Sequence, residues 1–157
     1  MIVMNIKIKF VISLAVCQLA GITGSVFTSS SVTTWYPTLT KPYFSPPGWI
    51  FAPAWIALYF QMGVSLYIIW INKAKDNGKA LILFAIQLIL NVLWSFMFFG
   101  LKSPLYGLID ILVLFVAIIL TILFSFKISV LAAILLVPYL VWVGFATILN
   151  YNIFLLN

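Results

Sequence analysis

Histidine, glutamate and arginine are absent from this chain, cysteine occurs once, and the only acids are Asp76 and Asp110. Each absence removes a chemistry. Without His, neither a Ser-His-Asp nor a Cys-His nucleophile can be assembled. One Cys and no His build no zinc site, so no metal is expected. A working carboxylate pair would need the two aspartates to meet, and they lie in segments of opposite character. A lone Cys closes no disulfide within the chain. Charge as a whole is scarce: 6% of the 157 residues, against roughly 25% in soluble domains. With 66% of residues hydrophobic, no water-facing surface can be covered, which excludes a soluble globular protein. The net charge of +6 comes from eight scattered lysines. A nucleic-acid binder clusters its cations on a stripe, so no nucleic-acid partner is expected and the lipid bilayer is.

What the chain has is long apolar runs. A helix needs about 20 residues to cross the hydrocarbon core. Five stretches suffice: about 10–28, 47–71, 79–99, 104–126 and 129–154. None alternates in the manner of a membrane strand, and backbone in lipid must satisfy its own hydrogen bonds. The expected fold is therefore all-α, one membrane domain over 1–157, with five transmembrane helices and a long first loop at 29–46. Pro46, Pro47 and Gly48 open the second span, and Asp76-Asn77-Gly78 and residues 100–104 make turns. Pro53 and Pro138 are expected to bend their helices. Lys7 and Lys9 before an apolar run resemble a signal peptide, but the run continues past Cys17 to Phe27 and reads as a span. Gly21, Gly24, Ser25 and Thr28 near one face, and Ala132 with Ala133, suit close helix contact.

Four features stand out for function. Asp110 falls about two turns into the fourth span, where a charge costs at least ~2.5–3.5 kcal/mol. It reads either as a polar anchor or proton site in a cavity, or as an acid paired with a neighbouring polar group. Asn91, Trp94, Ser95 and Phe98 share one face of the third helix, as a site or as interhelical glue. The chain has six Trp, seven Tyr and fourteen Phe. Trp70, Tyr67 and Tyr151 suit an interfacial belt, whereas Trp55, Trp94 and Trp142 lie deeper. Phe51, Trp55 and Tyr59 repeat every four residues, and Trp142, Phe145, Ala146 and Leu149 form another stripe. Each stripe alone fits packing; together they fit a flat apolar cavity between helices. Finally, the first loop is aromatic and carries four prolines among residues 37–47. It reads as a lid over a cavity or as a segment lying in the headgroups.

Trp35-Tyr36, Lys41-Pro42, Pro46-Pro47-Gly48, Trp55, Asn91, Trp94-Ser95, Phe98-Phe99, Asp110, Pro138-Tyr139, Trp142, Phe145-Ala146 and Leu149-Asn150 together closely resemble the TspO/MBR family, the tryptophan-rich sensory proteins and peripheral benzodiazepine receptors. The resemblance spans essentially the whole chain. It implies a five-helix bundle, often a homodimer, with a cavity under the first loop. It further implies binding of porphyrins such as protoporphyrin IX, as ligand or substrate, and of isoquinoline-carboxamide and benzodiazepine-type molecules. Some bacterial members are reported to degrade protoporphyrin IX with light and oxygen, which by resemblance would put catalytic tryptophans at Trp55 and Trp142. The ligand-contacting positions carry over to Tyr36, Pro46, Trp55, Asn91, Trp94, Asp110, Trp142, Phe145 and Ala146, with Trp35 as the loop tryptophan. Phe51 joins them on its stripe. No cofactor is required. The alternatives are a transporter of porphyrins or other lipophiles and a non-catalytic sensor regulating a partner. The animal cholesterol motif lacks its basic residue here, since no Lys follows Tyr151.

Lysine placement sets an expected orientation. Five spans put Lys7, Lys9, Lys73, Lys75, Lys79 and Lys127 on one side and Lys41 and Lys102 on the other, which predicts a cytoplasmic N-terminus. A topology reporter inserted near residue 77 should read inside and one after residue 157 outside; the reverse pattern would refute this orientation.

Overall fold

The computed structural model describes residues 5–157; residues 1–4 of the expected domain lie outside the described residues. Five helices, each long and apolar enough to cross a membrane, make up the fold. These are α1 (Ile6–Thr34), α2 (Phe51–Ile71), α3 (Asn77–Ser95), α4 (Pro104–Phe126) and α5 (Val130–Leu156). Among the described residues there is no strand.

Local chemistry fixes the helix ends. Asn5 caps α1 by accepting from the Lys7 N–H at 3.0 Å. Ser103 accepts from Tyr106 N–H at the start of α4, with Pro104 in the first position, where its missing N–H costs little. Ser129 accepts from Ala132 N–H to open α5. Asp76 occupies the N-cap position of α3 and pairs with Lys79 at 3.2 Å. The turn there is therefore made by residues before Asn77, and Gly78 is already helical.

Two further expectations are corrected. Residues 29–34 are helix, not loop. The hydroxyls of Ser29, Thr33 and Thr34 donate back to carbonyls three or four residues earlier, so this polar run satisfies itself inside the helix. Pro53 lies in the first turn of α2, among donors that have no helical partner in any case, so it removes no internal hydrogen bond. Pro138 does sit inside α5, and the helix runs on through it. The end of α3 widens into a π-turn over Phe96–Gly100, closed by Leu101 N–H donating to Phe96 C=O at 2.8 Å. That extra width turns the adjacent rings of Phe98 and Phe99 both inward, and each is buried.

The helices close a ring in the order α1, α2, α5, α4, α3. Each helix's outward face carries exposed apolar side chains, such as Val11, Phe60, Ile89, Val116 and Val141. This suits lipid rather than water. Inside, the ring is tight at one end. The backbone of α1 at Leu14 lies against Gly63 of α2, Phe10 meets Tyr67 edge-on at 5.1 Å, and Ser65 donates to the Ala132 carbonyl at 2.8 Å. Six lysines gather at this end, and Lys41 and Lys102 at the other.

A Cβ on Gly63 would stand 2.9 Å from the Leu14 Cα, a backbone atom that cannot yield alone. Gly63→Ala should therefore lower stability by about 1–3 kcal/mol. Gly78→Ala, which meets nothing within 4 Å, should not. Thermal unfolding in detergent checks the pair; equal melting of both variants and wild type would contradict this packing.

Candidate functional site

The first loop is built to lie across the other end of the ring. Tyr36–Thr38 and Gly48–Ile50 form single 3₁₀ turns; Pro37 lies in the first, and Pro42, Pro46 and Pro47 fix φ between them. Three of its rings are seated on the bundle, while Tyr43 and Trp49 stay exposed. Trp35 packs on Phe98 at 5.5 Å, Tyr36 on Phe98 and Phe99, and Phe44 on Phe145 at 6.4 Å. Asn157 grips the loop's middle, accepting from Thr40 N–H and donating to Thr40 C=O, each at 3.0 Å. Below, Ser31 donates to the Phe99 carbonyl at 2.8 Å and ties α1 to the π-turn.

Beneath this roof lies a cavity of about 840 Å³, bordered by α1, α2, α3 and its π-turn, α5 and the loop. Phe51, Trp55 and Tyr59 come from α2, and Trp94, Phe98 and Phe99 from α3 and the π-turn. Ala146, Leu149, Asn150 and Ile153 form the α5 wall, and Tyr36, Lys41 and Pro46 the roof. The α1 wall is only partly closed. Ile22 and Ile56 border the cavity yet remain 59% and 62% exposed. Helices α1 and α2, tightly packed at the far end, therefore leave a lateral slot facing the bilayer.

The floor is held by a polar hub. The Trp55 indole stacks on the Tyr59 ring at 5.4 Å and 28°. The Tyr59 hydroxyl donates to Asn91 Oδ1, and Asn91 Nδ2 donates to the Tyr139 hydroxyl at 3.1 Å. A second chain orients the other indole. Trp94 Nε1 donates to Asn150 Oδ1 at 3.2 Å, and Asn150 Nδ2 donates to the Pro104 carbonyl at 2.8 Å. Trp94 also stacks on Phe98 at 5.4 Å and 20°. Both indoles are thus fixed before any ligand arrives.

The residues singled out from sequence divide in two. Tyr36, Pro46, Phe51, Trp55, Trp94 and Ala146 border the cavity. Trp35, Asn91, Asp110, Trp142 and Phe145 are not among its lining. Trp35 lies on Phe98 in the roof layer, and Asn91 sits behind Tyr59 in the hub. Asp110 is buried on α4, the helix that contributes no wall, and its Oδ2 has no hydrogen-bond partner. Trp142 stands one ring outside, edge-on to Phe51 at 6.0 Å. It borders a separate, shallow groove on the outer α2/α5 seam with Ala54, Ala57 and Pro138. Phe145 is wedged between Trp142 and Phe44. Conversely, Lys41, Phe99, Asn150 and Ile153 border the cavity without having been singled out as site residues. Asn150 and Ile153 continue the Ala146 stripe by four and seven residues, a legible signal. Phe99 depends on the π-turn, which nothing in the residue pattern announces.

Electrostatically, Lys41 is the one charged residue in the lining. Its Nζ sits 4.7 Å from the centre of the Tyr36 ring and 3.5 Å from the Leu39 carbonyl. Burial pushes the Tyr36 phenol above its ordinary pKa, an effect partly offset by a hydrogen bond with Ser45. Its hydroxyl thus stays protonated, a potential donor at the cavity's roof. Among the described residues no three His, Cys, Asp or Glu side chains gather as a metal site would need.

The same chain is recognisable by comparison. The TspO/MBR family pattern matches residues 13–156. A tryptophan-rich protein TspO of Archaeoglobus fulgidus is 49% identical over 154 residues, covering 98% of this chain and 99% of the relative. A tryptophan-rich sensory protein of Cereibacter sphaeroides is 36% identical, covering 94% and 90%. The human Translocator protein is 38% identical, covering 82% and 78%. A match of this extent, on five membrane-length helices, has one reading: the chain is a multi-pass membrane protein of the TspO/MBR family.

Proposed function

We propose that this protein binds a flat amphiphilic tetrapyrrole of the protoporphyrin IX kind in the cavity beneath its first loop. The observation that carries this reading is the presence of two pre-oriented indoles, Trp55 and Trp94, on the border of one cavity. Ligand pockets run to about 300–1,000 Å³, mostly apolar with a few placed polar groups, and this one fits. Each aromatic stacked on the macrocycle adds about 0.5–1.5 kcal/mol beyond area burial. Isoquinoline-carboxamide and benzodiazepine-type molecules, also flat and apolar, suit the same space. A homodimer and a cytoplasmic N-terminus belong to this reading.

Catalysis, in this reading, is photochemical. Neither aspartate borders the cavity, so no carboxylate is placed there to act as a general base. The bound porphyrin would absorb light and sensitise dioxygen, which is the oxidant of the macrocycle. Trp55, on the cavity border, offers the ring an electron-rich face. Trp142 acts through Phe51, whose ring separates it from the cavity. The slot between α1 and α2 lets a lipophile exchange with the bilayer. The tight packing of Leu14 on Gly63 and of Ser65 on Ala132 at the far end favours binding over passage across the membrane.

Two measurements test this. Protoporphyrin IX should quench tryptophan fluorescence saturably, and Trp55→Phe should weaken binding by about 2- to 10-fold. No saturable quenching, or unchanged affinity in Trp55→Phe, would sink the cavity reading. Under illumination in air the Soret band should decay faster with wild type than with Trp55→Phe, and Trp142→Phe should lie between them. Equal decay in all three, and in protein-free detergent, would remove the catalytic claim while leaving binding in place.

A further inference from the structure

We infer that the outer seam between α2 and α5 is a binding site for one anionic phospholipid, with its phosphate beside Lys73 and Lys127 and an acyl chain running along the seam into the groove at Pro138 and Trp142. This site lies outside the roofed cavity and does not depend on the proposed function.

The inference begins with unmatched charge at the tight end of the bundle. Six lysines stand there against one acid, Asp76, which pairs with Lys79. No other ion pair forms among the described residues. Lys73 and Lys127 are both exposed, on separate connectors that one hydrogen bond draws together. Asn72 Nδ2 donates to the Ile128 carbonyl at 3.3 Å. Asn72 is itself fixed, its Oδ1 accepting from Ala74 N–H at 3.0 Å and its carbonyl from Asn77 Nδ2. The two lysines therefore flank a stitched junction between the end of α2 and the start of α5. Lys127 Nζ has only the face of Phe124, 4.8 Å from the ring centre. An ammonium has three donors, and neither lysine has a protein acceptor for them. Cations left short of acceptors at headgroup level are complementary to a lipid phosphate.

Further along the same seam the surface turns apolar and hollow. Past the Ser65–Ala132 bond, the outer face of α2 and α5 carries a groove of about 490 Å³. Ala54, Ala57 and Leu58 of α2 and Val137, Pro138 and Trp142 of α5 border it, and no charged or amide side chain does. The hollow exists because two alanines and a proline ring stand where larger side chains cover the rest of the outer face. Distance then selects the occupant. At about 1.5 Å per residue, Val137 to Trp142 lie roughly 13–21 Å from Ile128 along α5. One leaflet of a hydrocarbon core about 30 Å thick is about 15 Å deep. A lipid with its phosphate at Lys73 and Lys127 thus brings its chain ends to the groove. A soluble anion would meet the lysines and leave the groove open, and an uncharged lipid would do the reverse. An anionic phospholipid satisfies both ends of the seam at once.

The test titrates the full chain in neutral detergent with two lipids brominated toward the chain end, phosphatidylglycerol and phosphatidylcholine. A bromine in the groove quenches the fluorescence of Trp142. With wild type, phosphatidylglycerol should reach half-quenching at about 5- to 30-fold lower concentration than phosphatidylcholine. Trp142→Phe should remove most of the saturable quenching, and Trp70→Phe, at the face that Lys9 covers, should not. The double variant Lys73→Gln, Lys127→Gln should bring the two lipids within about twofold. Lys7→Gln with Lys9→Gln removes the same charge from α1 and should keep the preference. Ala57→Leu, on an exposed position, should weaken both lipids and preserve their ratio. Equal half-points in wild type would overturn the inference. So would equal loss of preference in the two lysine doubles, which would mark a diffuse field over the whole end. Saturable quenching that survives Trp142→Phe would place the chain elsewhere and also overturn it. No saturable quenching by either lipid, as when a second copy of the chain covers the seam, would do the same.

Discussion

A buried polar group in a bilayer has no bulk water to turn to, so leaving it without a protein partner is costly. Asn91 meets that constraint with two phenols, Tyr59 from α2 and Tyr139 from α5. One amide therefore joins three of the five helices at the level where the cavity begins. The consequence reaches the site directly, because the ring that Asn91 fixes is the ring on which Trp55 stacks. The Trp55 indole is positioned through a phenol and an amide that are themselves buried. Interhelical hydrogen bonds of this sort average less than 1 kcal/mol in membranes, so their weight here is in geometry more than in stability.

The two ends of the bundle behave differently for a reason that starts in residue size. At the lysine-rich end Gly63 and Ala132 let backbones approach, and the ring closes. At the loop end α1 and α2 leave Ile22 and Ile56 exposed beside the cavity, and large aromatic rings line its α2 and α3 walls. The space this leaves is roofed by a loop with little freedom of its own, stiffened by proline and gripped at Thr40 by Asn157. A preformed chamber follows, with little ordering left for a ligand to cause. Membership of the TspO/MBR family fits this arrangement: relatives in archaea, bacteria and animals, under sensory and translocator names, match along most of the same five spans.

The five helices were legible because lipid demands long apolar runs, and those runs are plain in the residues. The end of α1 was not, because a Ser/Thr-rich stretch looks like loop when its hydroxyls have no visible partner. In the fold they bond back along the helix. The site was half legible. Helical stripes bring Phe51, Trp55, Trp94 and Ala146 to the cavity, yet a stripe states only that residues share a face. It does not say where that face meets a hollow and where another ring. Trp142 belongs to the same α5 stripe as Ala146, but Phe51 stands between it and the chamber. Asp110 drew attention for its charge, and only the ring order shows that α4 packs behind α3 and α5 without reaching the cavity. Lys41 looked like a loop cation until the loop folded over the cavity and turned it inward.

A crystal structure with protoporphyrin IX bound would bear most directly on all of this. The macrocycle should lie beneath Tyr36, between the indoles of Trp55 and Trp94, with the Tyr59–Asn91–Tyr139 hub unchanged below it. A macrocycle seated instead in the outer α2/α5 groove against Trp142 and Pro138, with the roofed cavity empty, would contradict it.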